Sequence, residues 1–158
     1  MSQTPWITLS WWLCQSEPLL YALKEAKKAY KIDEVPIGAI IVKDDVIFGT
    51  GYNQMEMLKD STAHAEIIAI TAASNKLGDW RLNSASLYVT KEPCLMCIGA
   101  IINARVENVF YGLPDTELGF SSIKNKLNIK MNHLNYVQGK ILKDECQKII
   151  QDFFLKKR

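Results

Sequence analysis

Short apolar runs alternate with segments whose apolar residues recur at helical spacing along most of this chain. The short runs are bounded by turn residues and predict buried strands. The polar Lys43-Asp44-Asp45 turn separates the first two runs and predicts an antiparallel hairpin. Five strands are predicted, at residues 38–42, 46–52, 85–90, 106–111 and 136–138.

Helices are predicted between these strands. The first helix begins at Pro18, because proline suits the first turn, and ends at Val35-Pro36. Gly78 follows the second helix as a stop signal, and Gly112 closes the fourth strand. After Gly112, about twenty polar residues are enough for a crossover helix that returns the chain in parallel. The remaining helices are predicted at residues 64–75, at 94–104 and from 142 to the C-terminus.

A helix, a hairpin and then alternating strands and helices indicate an α/β layer fold. We predict three layers, with a single mixed five-stranded sheet and helices on both of its faces. Residues 18–158 form a single domain, and residues 1–17 form an atypical N-terminal leader rich in tryptophan. Such a leader is typical of a segment packed on the domain surface or of a misassigned start. A membrane-interface anchor would also contain tryptophan, but no basic residue accompanies it here.

Composition excludes several classes of protein. The chain has 158 residues, of which 48% are hydrophobic and 23% charged, as in ordinary globular domains. No apolar run approaches the roughly 20 residues that span a bilayer, so we expect no membrane partner. The net charge of +2 is small, so an RNA partner would have to be recognised at a specific site. Four cysteines are too few for a secreted disulfide scaffold, and we expect a cytoplasmic protein.

Metal-ligating residues lie where loops lead into two of the predicted helices. His64 begins one helix, and Cys94 and Cys97 share a face at the start of another. The positive end of the helix dipole favours their thiolate forms. An imidazole and two thiolates suit zinc, and three protein ligands leave the fourth position for water. We therefore predict one catalytic zinc ion per subunit.

Glu66 lies two residues from His64, near the predicted metal but not needed as a ligand. Zinc lowers the pKa of its bound water from 15.7 to about 7. A neighbouring carboxylate can take a proton from that water, deliver it to a ring nitrogen and later protonate departing ammonia. The combination predicts hydrolytic deamination of an amidine-like ring carbon.

Each of these residues alone has a structural explanation. A lone histidine or glutamate at a helix start is commonly a solvated surface residue. A C-x-x-C pair also occurs in redox dithiols and in structural zinc sites. A catalytically inactive zinc scaffold is a further alternative, although a scaffold has no use for the Glu66 carboxylate.

The chain resembles the bacterial tRNA-specific adenosine deaminases of the cytidine-deaminase-like superfamily, from about Leu20 to the C-terminus. The resemblance rests first on the H-x-E…P-C-x-x-C signature of zinc deaminases, which assigns the superfamily. Segments that flank the signature or lie beyond it assign the member of the superfamily. They are residues 35–39, 51–53, 62–67, 87–90, 92–94, 99–101, 131–133 and 153–154.

The resemblance implies a role for six residues. Glu66 would shuttle protons, and Asn53 would hydrogen-bond the flipped purine nucleoside. Asp115 would contact the ribose of a neighbouring nucleotide. Without the resemblance, Asn53 is a turn residue after a hairpin and Asp115 is a cap beside Pro114. The zinc ligands would be His64, Cys94 and Cys97.

Family members convert adenosine to inosine at the wobble position of an arginine tRNA and act as homodimers. The resemblance therefore implies a tRNA anticodon loop as substrate and a second copy of the chain as partner. Anticodon loops offer unstacked bases that can enter a closed pocket. Basic residues at the C-terminal end could neutralise phosphates: Lys140, Lys143, Lys148, Lys156, Lys157 and Arg158.

The chain departs from the family pattern at two places. Residues 116–122 replace a segment that is usually rich in glycine and alanine, and Gln54 stands where a basic residue often follows the asparagine. Both places concern RNA contacts rather than the chemistry. A deaminase of free guanine, cytosine or cytidine on the same fold is the alternative function.

Overall fold

The computed structural model describes residues 6–127 and 133–158, with side chains from Cys14 onward except those of residues 125 and 127. Among these residues, none of the helices is both long and apolar enough to cross a bilayer. The strands are β1 (Gly38–Lys43), β2 (Val46–Tyr52), β3 (Ser86–Lys91), β4 (Asn108–Leu113) and β5 (Tyr136–Gln138). The helices are α1 (Trp6–Lys31), α2 (Met55–Leu58), α3 (Ala65–Leu77), α4 (Leu95–Asn103), α5 (Phe120–Leu127) and α6 (Lys143–Lys156).

The strands form one mixed sheet in the order β2-β1-β3-β4-β5. The β1–β2 hairpin and the β1–β3 pair are antiparallel, with a register shift in the hairpin between Ile41 and Val42. The β3–β4 and β4–β5 pairs are parallel, so the crossover predicted after β4 is present and contains α5. The predicted single mixed five-stranded sheet is confirmed.

Two separate cores cover the two faces of the sheet. Successive side chains of a strand point to opposite faces. Ile41 and Leu87 accordingly pack with α3 and α4, whereas Ile40 and Tyr88 pack with α1 and α6. The predicted three-layer arrangement is therefore confirmed as well.

Helix α1 begins at Trp6 and not at Pro18, so the predicted start of the first helix is wrong. An interior proline costs a helix about 3 kcal/mol, which tertiary packing can offset. Gln15 is buried, and its Oε1 accepts a hydrogen bond of 2.6 Å from the Tyr88 hydroxyl. The end of the proposed leader thus packs on the domain. The division at residue 18 remains a prediction, and residues 1–5 lie outside the described part.

Gly112 lies inside β4 and does not end it, which corrects the sequence prediction. An added Cβ at Gly112 would come within 3.0 Å of the Cys146 Cβ, so this glycine serves the close packing of α6 on the sheet. The short helix α2 was not predicted. In the segment 131–133, residues 131 and 132 lie outside the described residues.

Helix α3 rests directly on the backbone of β2. An added Cβ on Gly51 would lie 2.6 Å from the Ala69 nitrogen, and one on Gly49 would lie 2.6 Å from the Ala73 nitrogen. Backbone contact at two successive turns fixes the height of α3 above the sheet. The N-terminus of α3, where His64 lies, is positioned by this contact.

Candidate active site

A pocket of about 210 Å³ lies beside the C-terminal ends of the parallel strands β3 and β4. Crevices at the carboxyl ends of strands are the usual ligand sites of α/β sheets. Helices α3 and α4 both begin at this edge. Five of the six predicted site residues line the pocket, namely Asn53, His64, Glu66, Cys94 and Asp115. The sixth, Cys97, is buried in the first turn of α4.

The three predicted metal ligands come together. Nδ1 of His64 lies 3.7 Å from Sγ of Cys94 and 3.5 Å from Sγ of Cys97. The three ligand atoms all lie within 4.8 Å of one another. His64 and Cys94 occupy the N-cap positions of α3 and α4, so two helix starts converge on one point.

These distances fit a zinc ion. Zinc bonds of about 2.0 Å to nitrogen and 2.3 Å to sulfur in tetrahedral geometry separate the two ligand atoms by about 3.5 Å. A borderline-soft ion also prefers this set of one imidazole and two thiolates. The residues present therefore fit a zinc centre with three protein ligands.

The pKa values of the two thiols shift in opposite directions. Hydrogen bonds from the Cys97 thiol and from His64 lower the pKa of Cys94 to about 3 against the effect of burial. The same hydrogen bond to Cys94, together with burial, raises the pKa of Cys97. The hydrogen bond to Cys94 also raises the pKa of His64. The low pKa makes the Cys94 thiolate available as a metal ligand.

Glu66 is only 4% exposed and lines the pocket from the first turn of α3. Burial raises the pKa of its carboxyl group, and a hydrogen bond from its own backbone N–H, together with the nearby His64, opposes that effect. A carboxyl group with a raised pKa can both accept and return a proton near neutral pH.

Asn53 follows β2 and is 5% exposed. Its Nδ2 donates a hydrogen bond of 3.3 Å to the Val35 carbonyl. Among the described residues, its Oδ1 is buried and has no hydrogen-bond partner. An unpaired buried acceptor costs about 1–3 kcal/mol. Its place in the pocket wall makes it available to a donor group of a ligand.

Asp115 lies across the pocket, in the loop after β4. Its Oδ1 accepts from the backbone N–H groups of Glu117 and Leu118, and its Oδ2 lies 2.7 Å from the Lys91 ammonium. Although partial burial acts to raise the pKa of Asp115, these contacts lower it to about 2. The cap function that the sequence suggested for Asp115 is observed, whereas a ribose contact remains a prediction.

Three further charged residues in or next to the pocket were missed by sequence reasoning. Lys91 lines it beside Asp115. Two buried carboxylates, Glu34 and Glu92, bind backbone N–H groups of neighbouring loops, and Glu34 accepts one at 2.7 Å from Met57 in α2. The position of Glu92 directly before Pro93-Cys94 was the only signal in the sequence.

Known proteins are similar to this chain in sequence. A family model described as MafB19-like deaminase matches residues 17–158. A tRNA-specific adenosine deaminase from Buchnera aphidicola subsp. Schizaphis graminum is 43% identical over 139 residues, which cover 87% of this chain and 91% of the relative.

Solved structures agree with these sequence relatives. One, from a study of A-to-I editing by tRNA:A34 deaminases at the wobble position of transfer RNA, superposes with a TM-score of 0.79 and is 38% identical. It covers 84% of this chain and 98% of the other. A guanine deaminase from Bacillus subtilis is 36% identical with a TM-score of 0.62, covering 72% of this chain and 76% of the other.

The fold and the His-Cys-Cys centre define this chain as an enzyme of the deaminase class with a cytidine-deaminase-like fold. Within that class, it belongs to the family of the tRNA-specific adenosine deaminases, as the sequence resemblance indicated.

Proposed function

We propose that this protein converts adenosine to inosine at the wobble position of a tRNA anticodon, with an arginine tRNA as the expected substrate. One observation carries the proposal: three zinc-type ligand atoms come together at a pocket that is also lined by the buried Glu66 and by Asn53, whose Oδ1 is unpaired. The related tRNA adenosine deaminases support the choice of substrate.

One zinc ion per subunit would be held by His64 Nδ1 and by the sulfurs of Cys94 and Cys97. When bound, zinc supplies Lewis acidity that makes water a nucleophile at neutral pH. Among the protein groups, hydrogen bonds from the Cys97 thiol and from His64 keep Cys94 ready to bind as a thiolate, and the α4 dipole favours the same form.

Glu66 moves the protons of the reaction. Its carboxylate takes a proton from water and delivers it to a nitrogen of the purine ring. A second proton passes through the same carboxyl group to the departing amino group, which leaves as ammonia. Adenosine and water are thereby converted to inosine and ammonia, and Glu66 returns to its starting state.

Asn53 and Asp115 orient the substrate. The unpaired Oδ1 of Asn53 accepts a hydrogen bond from the flipped nucleoside, and this bond satisfies the acceptor that the free protein leaves buried. Asp115 retains free lone pairs beside its contacts with Lys91 and the loop, and these reach the ribose of the neighbouring nucleotide.

A single-stranded loop suits this pocket better than a duplex. The pocket admits a base only after that base leaves its stack. In an anticodon loop this unstacking costs little free energy. Among the basic residues at the C-terminal end, Lys148 pairs with Asp152 at 2.9 Å and Lys157 pairs with Asp33 at 3.1 Å. Both pairs are exposed, so phosphates can compete for these cations.

The active form of the proposed enzyme is a cytoplasmic homodimer. A groove on α3 and α4 exposes apolar residues, including Ile67, Ile70 and Ala100, and Trp80 at its rim is 52% exposed. Both helices also carry metal ligands, so a second subunit here would lie next to the site. The four cysteines have free thiols, as suits a reducing compartment. Light scattering should give a dimer, and Ile70→Glu should give a monomer.

The decisive experiment compares substrates. The purified protein is incubated with an anticodon stem-loop of arginine tRNA and, separately, with free guanine, cytosine and cytidine. Inosine mapped to the wobble position, with no ammonia from the free compounds, is the expected result. Ammonia from free guanine with an unmodified RNA would instead favour the activity of the related guanine deaminase.

A further inference from the structure

Glu92 is a buried carboxylate that the proposed chemistry does not use. It is 5% exposed and lies between β3 and the metal ligand Cys94. Buried carboxylates are rare unless their oxygens are paired. The hydrogen-bond partners described for its carboxylate all come from residues 114–121, here named the pocket loop, which run from the end of β4 into the first turn of α5.

The two oxygens of Glu92 bind opposite ends of the pocket loop. Oε2 accepts a hydrogen bond of 2.8 Å from the backbone N–H of Asp115. Oε1 accepts one of 2.9 Å from the backbone N–H of Ser121 and another from the Ser121 hydroxyl. One carboxylate thereby holds residues six positions apart, and it does so through three donors.

The pocket loop wraps closely around this carboxylate. An added Cβ at Gly119 would lie 2.6 Å from Oε2 of Glu92, so only glycine allows the approach. Gly119 also forms an isolated bridge with Cys94, and the backbone N–H of Phe120 donates to the Pro93 carbonyl at 3.0 Å. The loop is thus attached to the segment that carries a metal ligand.

Two residues of the pocket loop, Asp115 and Leu118, line the same pocket as His64. Their distance from the metal ligands depends on what ties the loop to β3. Besides the backbone contacts just described, two side chains tie the loop in place: the ion pair of Lys91 with Asp115 is half-buried, and the Glu92 carboxylate is buried. We propose that Glu92 is a positioning residue. By holding the pocket loop, it fixes the distance between the substrate-facing residues of that loop and the metal centre.

This inference rests on the proposed function for its kinetic part. The variant Glu92→Gln keeps the shape of the side chain but offers one acceptor and one donor in place of two acceptors. Its NH₂ group must then face the N–H of either Asp115 or Ser121. One end of the pocket loop loses its hydrogen bond, and the loop should move away from the metal ligands.

Hydrogen exchange and kinetics test the proposal together. In Glu92→Gln, the amides of Asp115 and Ser121 should exchange faster, while those of α3 and α4 and the zinc content stay unchanged. KM for the anticodon stem-loop should rise about tenfold, the factor for one unmatched buried hydrogen bond, with little change in kcat. The control Glu117→Gln removes the same charge from an exposed position of the same loop and should change neither measurement.

Unchanged exchange in the pocket loop together with an unchanged KM would overturn the proposal. A fall in zinc content or in kcat alone would also overturn it, since either would assign Glu92 to the metal centre. If Glu92→Gln does not fold, Ser121→Ala removes only the hydroxyl donor and should raise KM in the same direction, and an unchanged KM would count against the proposal. If the wild-type protein does not act on RNA, the exchange measurement still tests the positioning role, so the two failures are distinguishable.

Discussion

Nδ1 of His64 lies 3.5 Å from Sγ of Cys97, although the two residues are 33 positions apart in the chain. They meet because α3 and α4 begin at the same edge of the sheet. Cys97→Ala and Cys94→Ala should therefore each lose stoichiometric zinc, as measured by atomic absorption on protein purified under reducing conditions. Cys14→Ala, at an exposed thiol, is the control and should retain the metal. Zinc retained in full by Cys94→Ala would mean that another residue supplies a ligand.

Glu66→Ala should separate proton transfer from metal binding. General acid–base catalysis contributes about 10²–10⁴-fold, so turnover should fall by about three orders of magnitude while zinc and fold are kept. Single-turnover deamination of the stem-loop and zinc analysis are the measurements. Glu56→Ala, on the exposed surface of α2, is the matched control. A rate near that of the wild type in Glu66→Ala would remove the proton-shuttle role.

Asn53→Ala should distinguish a substrate contact from a structural one. The substitution removes an unpaired buried acceptor but also a weak hydrogen bond to Val35, so unfolding free energy should change by less than about 1 kcal/mol. Because a substrate hydrogen bond is lost, kcat/KM should fall about tenfold or more. Urea denaturation measures the unfolding free energy, and steady-state kinetics measure kcat/KM. Large destabilisation with unaltered kinetics would mark Asn53 as a turn residue only.

Tyr88 and Gln15 connect the N-terminal segment to the domain in a pH-dependent way. The pKa of Tyr88 is raised to about 12, against about 10 in an unfolded chain. Burial is the largest cause, and the nearby Cys14 and Asp45 contribute less. A raised pKa means that the folded state favours the neutral phenol. Its contribution to stability is thus complete below pH 10 and is lost as the pH rises from about 10 to 12.

Tyr88→Phe should abolish that alkaline loss. At pH 8 it should also destabilise the protein by about 1–3 kcal/mol, because Oε1 of Gln15 stays buried without its donor. Urea denaturation at pH 8 and pH 11 measures both effects, with the exposed Tyr21→Phe as control. Deletion of residues 1–17 removes the same hydrogen bond and should cost at least as much. A neutral deletion would show that the leader does not stabilise the domain.

Gly51→Ala should destabilise the protein by about 2 kcal/mol or more, since the new methyl group would meet the backbone of α3. Gly99→Ala is the matched control. Within one chain, an added Cβ there meets nothing within 4 Å, and alanine should stabilise α4 by up to about 1 kcal/mol. Equal unfolding free energies for the two variants would contradict the described contact between β2 and α3.

Sequence reasoning predicted the sheet because its strands are short apolar runs with clear turn signals. The second strand, at residues 46–52, has the same bounds in the structure. The grouping of His64, Cys94 and Cys97 as candidate metal ligands was predictable, because metal binding depends on residue type and on spacing within one helix turn. Family resemblance added Asn53 and Asp115, which no local pattern would have distinguished from turn residues.

Long-range contacts limited the other predictions. Proline alone placed the start of the first helix at residue 18, but burial of Gln15 against Tyr88 extends the helix past it. Gly112 was predicted to end a strand, but it lies inside β4, where the absence of a side chain allows Cys146 to pack closely. The role of Glu92 depends on a loop more than twenty residues later in the chain, and no local pattern reports that distance.

The contact of Gly49 and Gly51 with α3 has a consequence for how the enzyme can be altered. The backbone of β2 packs directly on the backbone of α3 there. No layer of side chains lies between them that substitution by larger or smaller residues could change. Repacking of the apolar residues elsewhere in the interior should therefore leave the imidazole of His64 at its present height above the strands. A larger pocket should therefore be sought first by substitutions in the pocket loop and not in α3.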